Sequence, residues 1–209
     1  FAATDVGRQK ACMPRSRRWA TLRGKMSEAP ATPHLPRYDG MAIALHWMLA
    51  LLIVAGFTLG LYMHDLPLSP TRLKLFNWHK WAGVVILALS ALRLLWRLTH
   101  RPPPALPMPR WQSRAAHATH LGLYALFFAV PLVGWAYSSA SGFPVVAFGL
   151  LPLPDLVPVD RSLAGVLKQM HGVLAFSLAG LVALHVAGAL KHQFVERDGL
   201  LLRMRPSRR

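Results

Sequence analysis

Six histidines of this chain fall inside long apolar stretches, where an ionisable group is costly and is normally kept for function, and four of them fall at matched depths. His171 and His185 share one run, KQMHGVLAFSLAGLVALHVAGALKHQF (168–194), which carries no charge between Lys168 and Lys191. In a helix rising ~1.5 Å per residue they stand about 21 Å apart. Fourteen steps of ~100° return the second to within about 40° of the first, so both imidazoles lie on one face. His46 lies a few residues into one earlier apolar run, and His79 a few residues into the next. Haem iron takes two axial ligands on opposite faces, and neutral imidazole serves well as one. Two histidines at each of two depths are what a pair of bis-histidine b-type haems requires of a bundle core.

The elements that must position them are membrane helices. Apolar runs cover 40–62, 76–96, 116–138 and 169–190 of the 209 residues, each about the twenty residues that span ~30 Å of hydrocarbon. None alternates as a barrel strand would, so the expected fold is all-α and integral to the membrane: a four-helix, up-down bundle. Lys and Arg number eight up to Arg37, four in 97–114 and six in 191–209, against five in the segments 63–80 and 139–168. By the positive-inside rule both termini are cytoplasmic. Span 1 then begins inside and span 2 outside, which puts His46 at the inner depth of His185 and His79 at the outer depth of His171. The expected organisation is a basic, Pro-rich extension over 1–37, a membrane domain over 38–194 and a basic cytoplasmic tail over 195–209. Residues 1–25 are basic and lack the apolar core of a signal peptide. Pro131 predicts a kink in span 3, and the apolar but Pro- and Gly-broken loop segment GFPVVAFGLLPLPDLVP predicts a stretch lying along the outer membrane surface.

Composition closes other routes. The single cysteine, Cys12, excludes a disulfide framework, a cysteine zinc site and covalent c-type haem attachment. The formal charge of +16 is distributed as a topology signal, reinforced by anionic lipid, and no nucleic-acid motif accompanies it. A His-lined proton or metal transporter is an alternative of another class, but it would usually carry Asp or Glu within its spans, and these spans contain none.

Around the four histidines, Gly83, Gly172, Gly188, Ala42 and Ala50 leave room for a flat macrocycle or for close helix packing. Arg93, fourteen residues after His79 and at inner depth, either pairs with a haem propionate or snorkels to the interface. His117 and His120 open span 3 as interfacial groups or as lining of a quinone or proton path. His192, seven residues beyond His185, competes with it as inner ligand; its place beside Lys191 at the membrane edge favours His185. His34, His64 and His100 lie in loops or at span ends. Arg72, Lys74, Lys80 and Lys168 make the outer face around the shallower pair positive enough to steer a small anion, or else bind lipid.

The segments ALHW (44–47), NWHKWAG (77–83), RLLWRL (93–98), AHATHLGLYALF, VAFGL (146–150), MHG (170–172), ALHVAGALKHQF (183–194) and LLRMRP (201–206) together resemble the bacterial cytochrome b561 family, from about Tyr38 to Pro206. The resemblance implies a dihaem cytochrome of the bacterial inner membrane, with His46, His79, His171 and His185 as its iron ligands. It also implies ubiquinone as redox partner and, in one branch, oxidation of superoxide to dioxygen. A related version is the haem-b anchor subunit of a hydrogenase or dehydrogenase, which would need a soluble redox partner.

Overall fold

The computed structural model describes residues 37–205. The extension 1–37 apart from Arg37, including His34, and the last residues of the tail, 206–209, lie outside the described residues.

Among the described residues four helices are long and apolar enough to cross a membrane. They are α1 (Gly40–His64), α2 (Pro70–Thr99), α3 (Arg110–Ala140) and α4 (Arg161–Lys191). The chain is an all-α, four-span membrane bundle. Three of the helices begin six to eight residues before the apolar runs that announced them, because their first turns need no hydrocarbon. Ser69 accepts from the Arg72 N–H, with Pro70 at the first helical position. Asp160 accepts from the N–H groups of Ser162 and Leu163, and Asp39 caps α1 through the Ala42 N–H. Satisfying first-turn donors lets a helix start among polar residues. Helix α3 continues through Pro131.

Helix α1 packs along α2 and α3 along α4, with α2 and α3 joining the two hairpins. Leu49, Ile53, Ile86, Leu123 and Leu178, drawn from all four helices, form the buried core. Phe57 of α1 meets Phe176 of α4 edge-on at 5.5 Å. Without a hydrophobic drive between helices in lipid, such packing and the bonds at each end hold the bundle.

One end, here the basic end, collects the described termini. Helix α4 passes into a π-helical turn (His192–Glu196), and Arg197 and Gly199, both at positive φ, reverse the chain into a 3₁₀ helix (Leu200–Met204). That helix is tied back. The Arg203 carbonyl accepts from the Tyr38 N–H, the Met204 carbonyl from the Trp47 indole, and the Arg205 carbonyl from Arg37. Arg203, only 3 % exposed, donates to the Pro104 carbonyl at 2.7 Å.

The opposite, hairpin end carries what the sequence did not announce. Within the loop expected only to lie along the surface, β1 (Val146–Ala147) pairs antiparallel with β2 (Leu151–Pro152). Strands of two residues are too short to show a period. Phe148 and Gly149 turn the hairpin at φ 54° and 73°; the second position is cheap only for glycine. Three donors on the helices hold the loop: the Trp81 indole to the Val146 carbonyl (2.7 Å), Lys80 to Pro144 (3.2 Å) and the Trp135 indole to Pro154 (3.1 Å).

Candidate functional site

The histidines on α1, α2 and α4 meet in two pairs. His46 and His185 have ring centres 6.1 Å apart with planes at 64°. His79 and His171 stand 6.0 Å apart at 86°. Both pairs bridge from the α1–α2 hairpin to α4, where the helices approach through side chains rather than along their backbones. The His46–His185 pair is nearer the basic end and the His79–His171 pair nearer the hairpin end. The apolar core lies between the two levels.

Beside the second pair opens an apolar cavity of ≈ 270 Å³. His79 and His171 line it, with Phe57, Gly83, Phe127 and Ala175. A methyl group added at Gly83, Gly172 or Gly188 would meet no atom within 4 Å, so the small residues noted in the sequence do border open space. The His171 Nδ1 donates to the Val130 carbonyl at 3.1 Å. A carbonyl only accepts, so this bond puts the proton on Nδ1 and leaves Nε2 as a free donor to a metal.

At the basic-end pair a third imidazole joins. His120, though exposed, sits edge-on to His185 at 5.2 Å. Arg93 points from α2 to the Tyr124 hydroxyl (3.3 Å), and Arg97 lies over the Tyr124 ring at 5.9 Å. Tyr124 was not singled out from sequence; its position four residues after His120, on the same helical face, was the available signal. His117 is exposed. His192 is engaged elsewhere: its Nδ1 lies 2.7 Å from Glu196 Oε2 and 2.6 Å from Asp198 Oδ2. Lys191 and Gln112 both donate to the other oxygen of Glu196.

The four cations expected to steer an anion are not equivalent. Lys74 and Lys168 are exposed. Arg72 is half-buried, over the Phe76 ring and donating to the His64 carbonyl. Lys80 is spent partly on Pro144. His64 pairs with Asp65, and His100 stacks on Trp96; neither approaches the paired imidazoles.

A family model of prokaryotic cytochrome b561 matches residues 37–207. The chain belongs to that family. It is 35 % identical over 170 residues to cytochrome b561 homolog 2 of Escherichia coli (strain K12), covering 80 % of this chain and 90 % of the relative. It is 33 % identical over 175 residues to the probable superoxide oxidase CybB of Yersinia pestis, covering 83 % and 98 %. The cytochrome b561 homolog 1 of E. coli (strain K12) is 30 % identical over 175 residues, covering 83 % and 99 %. This is therefore a multi-pass bacterial membrane protein of electron transfer, an oxidoreductase whose family implies haem b.

The residues present fit that group. Two imidazoles bound through Nε2 to opposite sides of one metal, at ~2.0 Å each, place their ring centres about 6 Å apart. Both histidine pairs have that separation. The cavity beside one pair is apolar and lined by small and aromatic residues, as a macrocycle edge requires.

Proposed function

We propose that this cytochrome holds two b-type haems, one between His79 and His171 and one between His46 and His185, and passes electrons from superoxide to ubiquinone. The observation that carries the reading is the match of both imidazole pairs to the spacing of a bis-histidine iron. Bound haem supplies reversible one-electron chemistry. The protein's part is to present Nε2 atoms, exclude water with the apolar core and set charge at each end. Arg93, beside the Tyr124 hydroxyl at the level of the basic-end pair, is the group proposed to hold a propionate.

The basic end faces the cytoplasm under the positive-inside rule, so the N- and C-termini are both inside and the hairpin end faces outward. Lys74, Lys168 and Arg72 there draw a small anion towards the shallower haem, while Lys80 chiefly braces the loop. Two superoxide anions each give up one electron and leave as dioxygen. The two electrons and two protons then convert one ubiquinone to ubiquinol. His120, exposed and edge-on to His185, is the group proposed to meet quinone at the other end. The likeness to a relative named a probable superoxide oxidase, at 33 % identity, favours this reading over an anchor subunit.

The test is to expose purified protein to an enzymatic superoxide source with and without ubiquinone. Superoxide loss faster than spontaneous dismutation, with ubiquinol formed in a 1:2 ratio to superoxide, is expected. Haems that quinol reduces and superoxide leaves oxidised would turn the reading into a quinol-linked cytochrome.

A further inference from the structure

Each histidine of the hairpin-end pair rests against a glycine of a neighbouring helix. A methyl group on Gly134 of α3 would lie 2.9 Å from Cε1 and 3.0 Å from Nδ1 of His171. A methyl on Gly60 of α1 would lie 3.2 Å from Cε1 and 3.7 Å from Nδ1 of His79. The two approaches share a pattern. Val130, whose carbonyl accepts from His171 Nδ1, stands four residues before Gly134. Gly56, whose carbonyl faces His79, stands four residues before Gly60. Four residues is one helical turn, so each imidazole meets a carbonyl from one turn and a bare Cα from the next. The likeness is incomplete in one respect: His79 Nδ1 is buried without a partner of hydrogen-bond geometry, whereas His171 Nδ1 has one.

We infer that Gly60 and Gly134 are positioning residues: they seat the two hairpin-end imidazoles edge-first on α1 and α3 and thereby set ring orientation and, at His171, keep Nδ1 within reach of the Val130 carbonyl that fixes its proton. The inference rests on the haem ligation proposed above. Iron held through Nε2 would fix that atom and leave the ring only its rotation and tilt to change. A methyl at 2.9 Å is inside any normal carbon contact, so at Gly134 the ring or the helix must yield. At Gly60 the contact at 3.2 Å asks for a few tenths of an ångström. The ordering follows: Gly134→Ala perturbs more than Gly60→Ala. His171 also has more to lose, because displacement breaks its bond to Val130. Losing that bond would weaken the electron donation of the imidazole to a bound iron and so raise the potential of that haem. Close packing alone is a different matter. Gly122 of α3 is as tight, a methyl there meeting Leu181 Cδ1 at 2.8 Å, but its neighbour is a pliant alkyl end and no histidine.

The experiment uses the full haem-loaded protein in detergent. Electron paramagnetic resonance of the oxidised form reads the axial ring geometry, and His171→Ala identifies which low-spin ferric signal belongs to the hairpin end. Gly134→Ala is expected to shift that signal and raise that potential, and Gly60→Ala to do so less. Gly122→Ala is expected to leave it in place. Both haems retained with the hairpin-end signal unmoved in Gly134→Ala and Gly60→Ala would overturn the seating role and leave haem ligation standing. Wild-type protein that binds no haem would overturn the ligation itself. Should the alanine variants fail to accumulate, pulsed resonance on wild-type protein carrying ¹⁵N-histidine decides. It should show two inequivalent Nδ1–H groups on the hairpin-end iron, one hydrogen-bonded; equivalent groups would contradict the inference.

Discussion

Trp81→Phe isolates the hold of the helices on the hairpin that lies at the end opposite the described termini. The tryptophan does two things: its indole N–H donates to the Val146 carbonyl at 2.7 Å, and its ring lies 5.7 Å from that of Phe148. Phenylalanine keeps a ring and loses the donor. A net hydrogen bond is worth about 0.5–1.5 kcal/mol, so local opening of the hairpin should become about 2- to 13-fold more frequent. Phe148 adds to the sensitivity, since it holds φ 54°, a conformation that costs a non-glycine residue roughly 1–2 kcal/mol and persists only where neighbours enforce it. The assay is amide hydrogen exchange. Gly149, Leu150 and Leu153 donate their N–H groups to Val146, Ala147 and Val145, and these three amides should lose protection together by that factor. Amides in the middle of α2 and α4 should not change. Unaltered exchange at the three amides would refute the reasoning, and so would equal loss throughout the bundle, because either result means that the indole does not hold the loop locally.

Further predictions concern both ends of the molecule. Replacing Lys74 and Lys168 together with Gln should slow the superoxide reaction at low ionic strength and flatten its salt dependence, with little effect in high salt where charges are screened; Lys80→Gln should instead act on hairpin exchange, as Trp81→Phe does. Arg203→Gln removes a charge-assisted bond to Pro104 from a nearly buried site, and should cost about 1.5–3 kcal/mol, read as a lower Tm in detergent and faster proteolysis at 195–205. Burial works to raise the Asp39 carboxyl, but hydrogen bonds from the Ala42 N–H and the Trp96 indole outweigh it and hold the group below the usual carboxylate range. A depressed folded value means that its contribution is complete above the unfolded carboxylate value of ~3.9 and is lost as pH falls through the lower folded value. Thermal melts from pH 5 to pH 3 should therefore fall less steeply for Asp39→Asn than for the wild type.

The parts of this fold that could be read in advance are those governed by length and depth. Helix rise and the alternation of basic segments place His46 with His185 and His79 with His171, and the rings do meet at 6.1 and 6.0 Å. No sequence period reports which glycine faces which ring, because that depends on the rotation of α1 and α3 about their axes. Nothing in the sequence therefore marks Gly60 and Gly134, while Gly83, Gly172 and Gly188, each close in sequence to one of the paired histidines, face open space. The hairpin over 146–152 stayed hidden because two-residue strands carry no alternation. The carbonyls that hold it are backbone atoms, which any sequence supplies. The closure of the basic end by Arg203 and the Trp47 indole depends on a chain reversal at Arg197 and Gly199. Charge counting places these residues on one side of the membrane and says nothing of their contacts.

The most direct test of the central claim is haem content per chain, from a dithionite-reduced spectrum and a pyridine haemochrome assay on purified protein. Two b-type haems are expected in the wild type and in His192→Ala, and one each in His171→Ala and His185→Ala. A wild type without two haems, or loss of a haem on replacing His192 with none lost on replacing His185, would contradict the account.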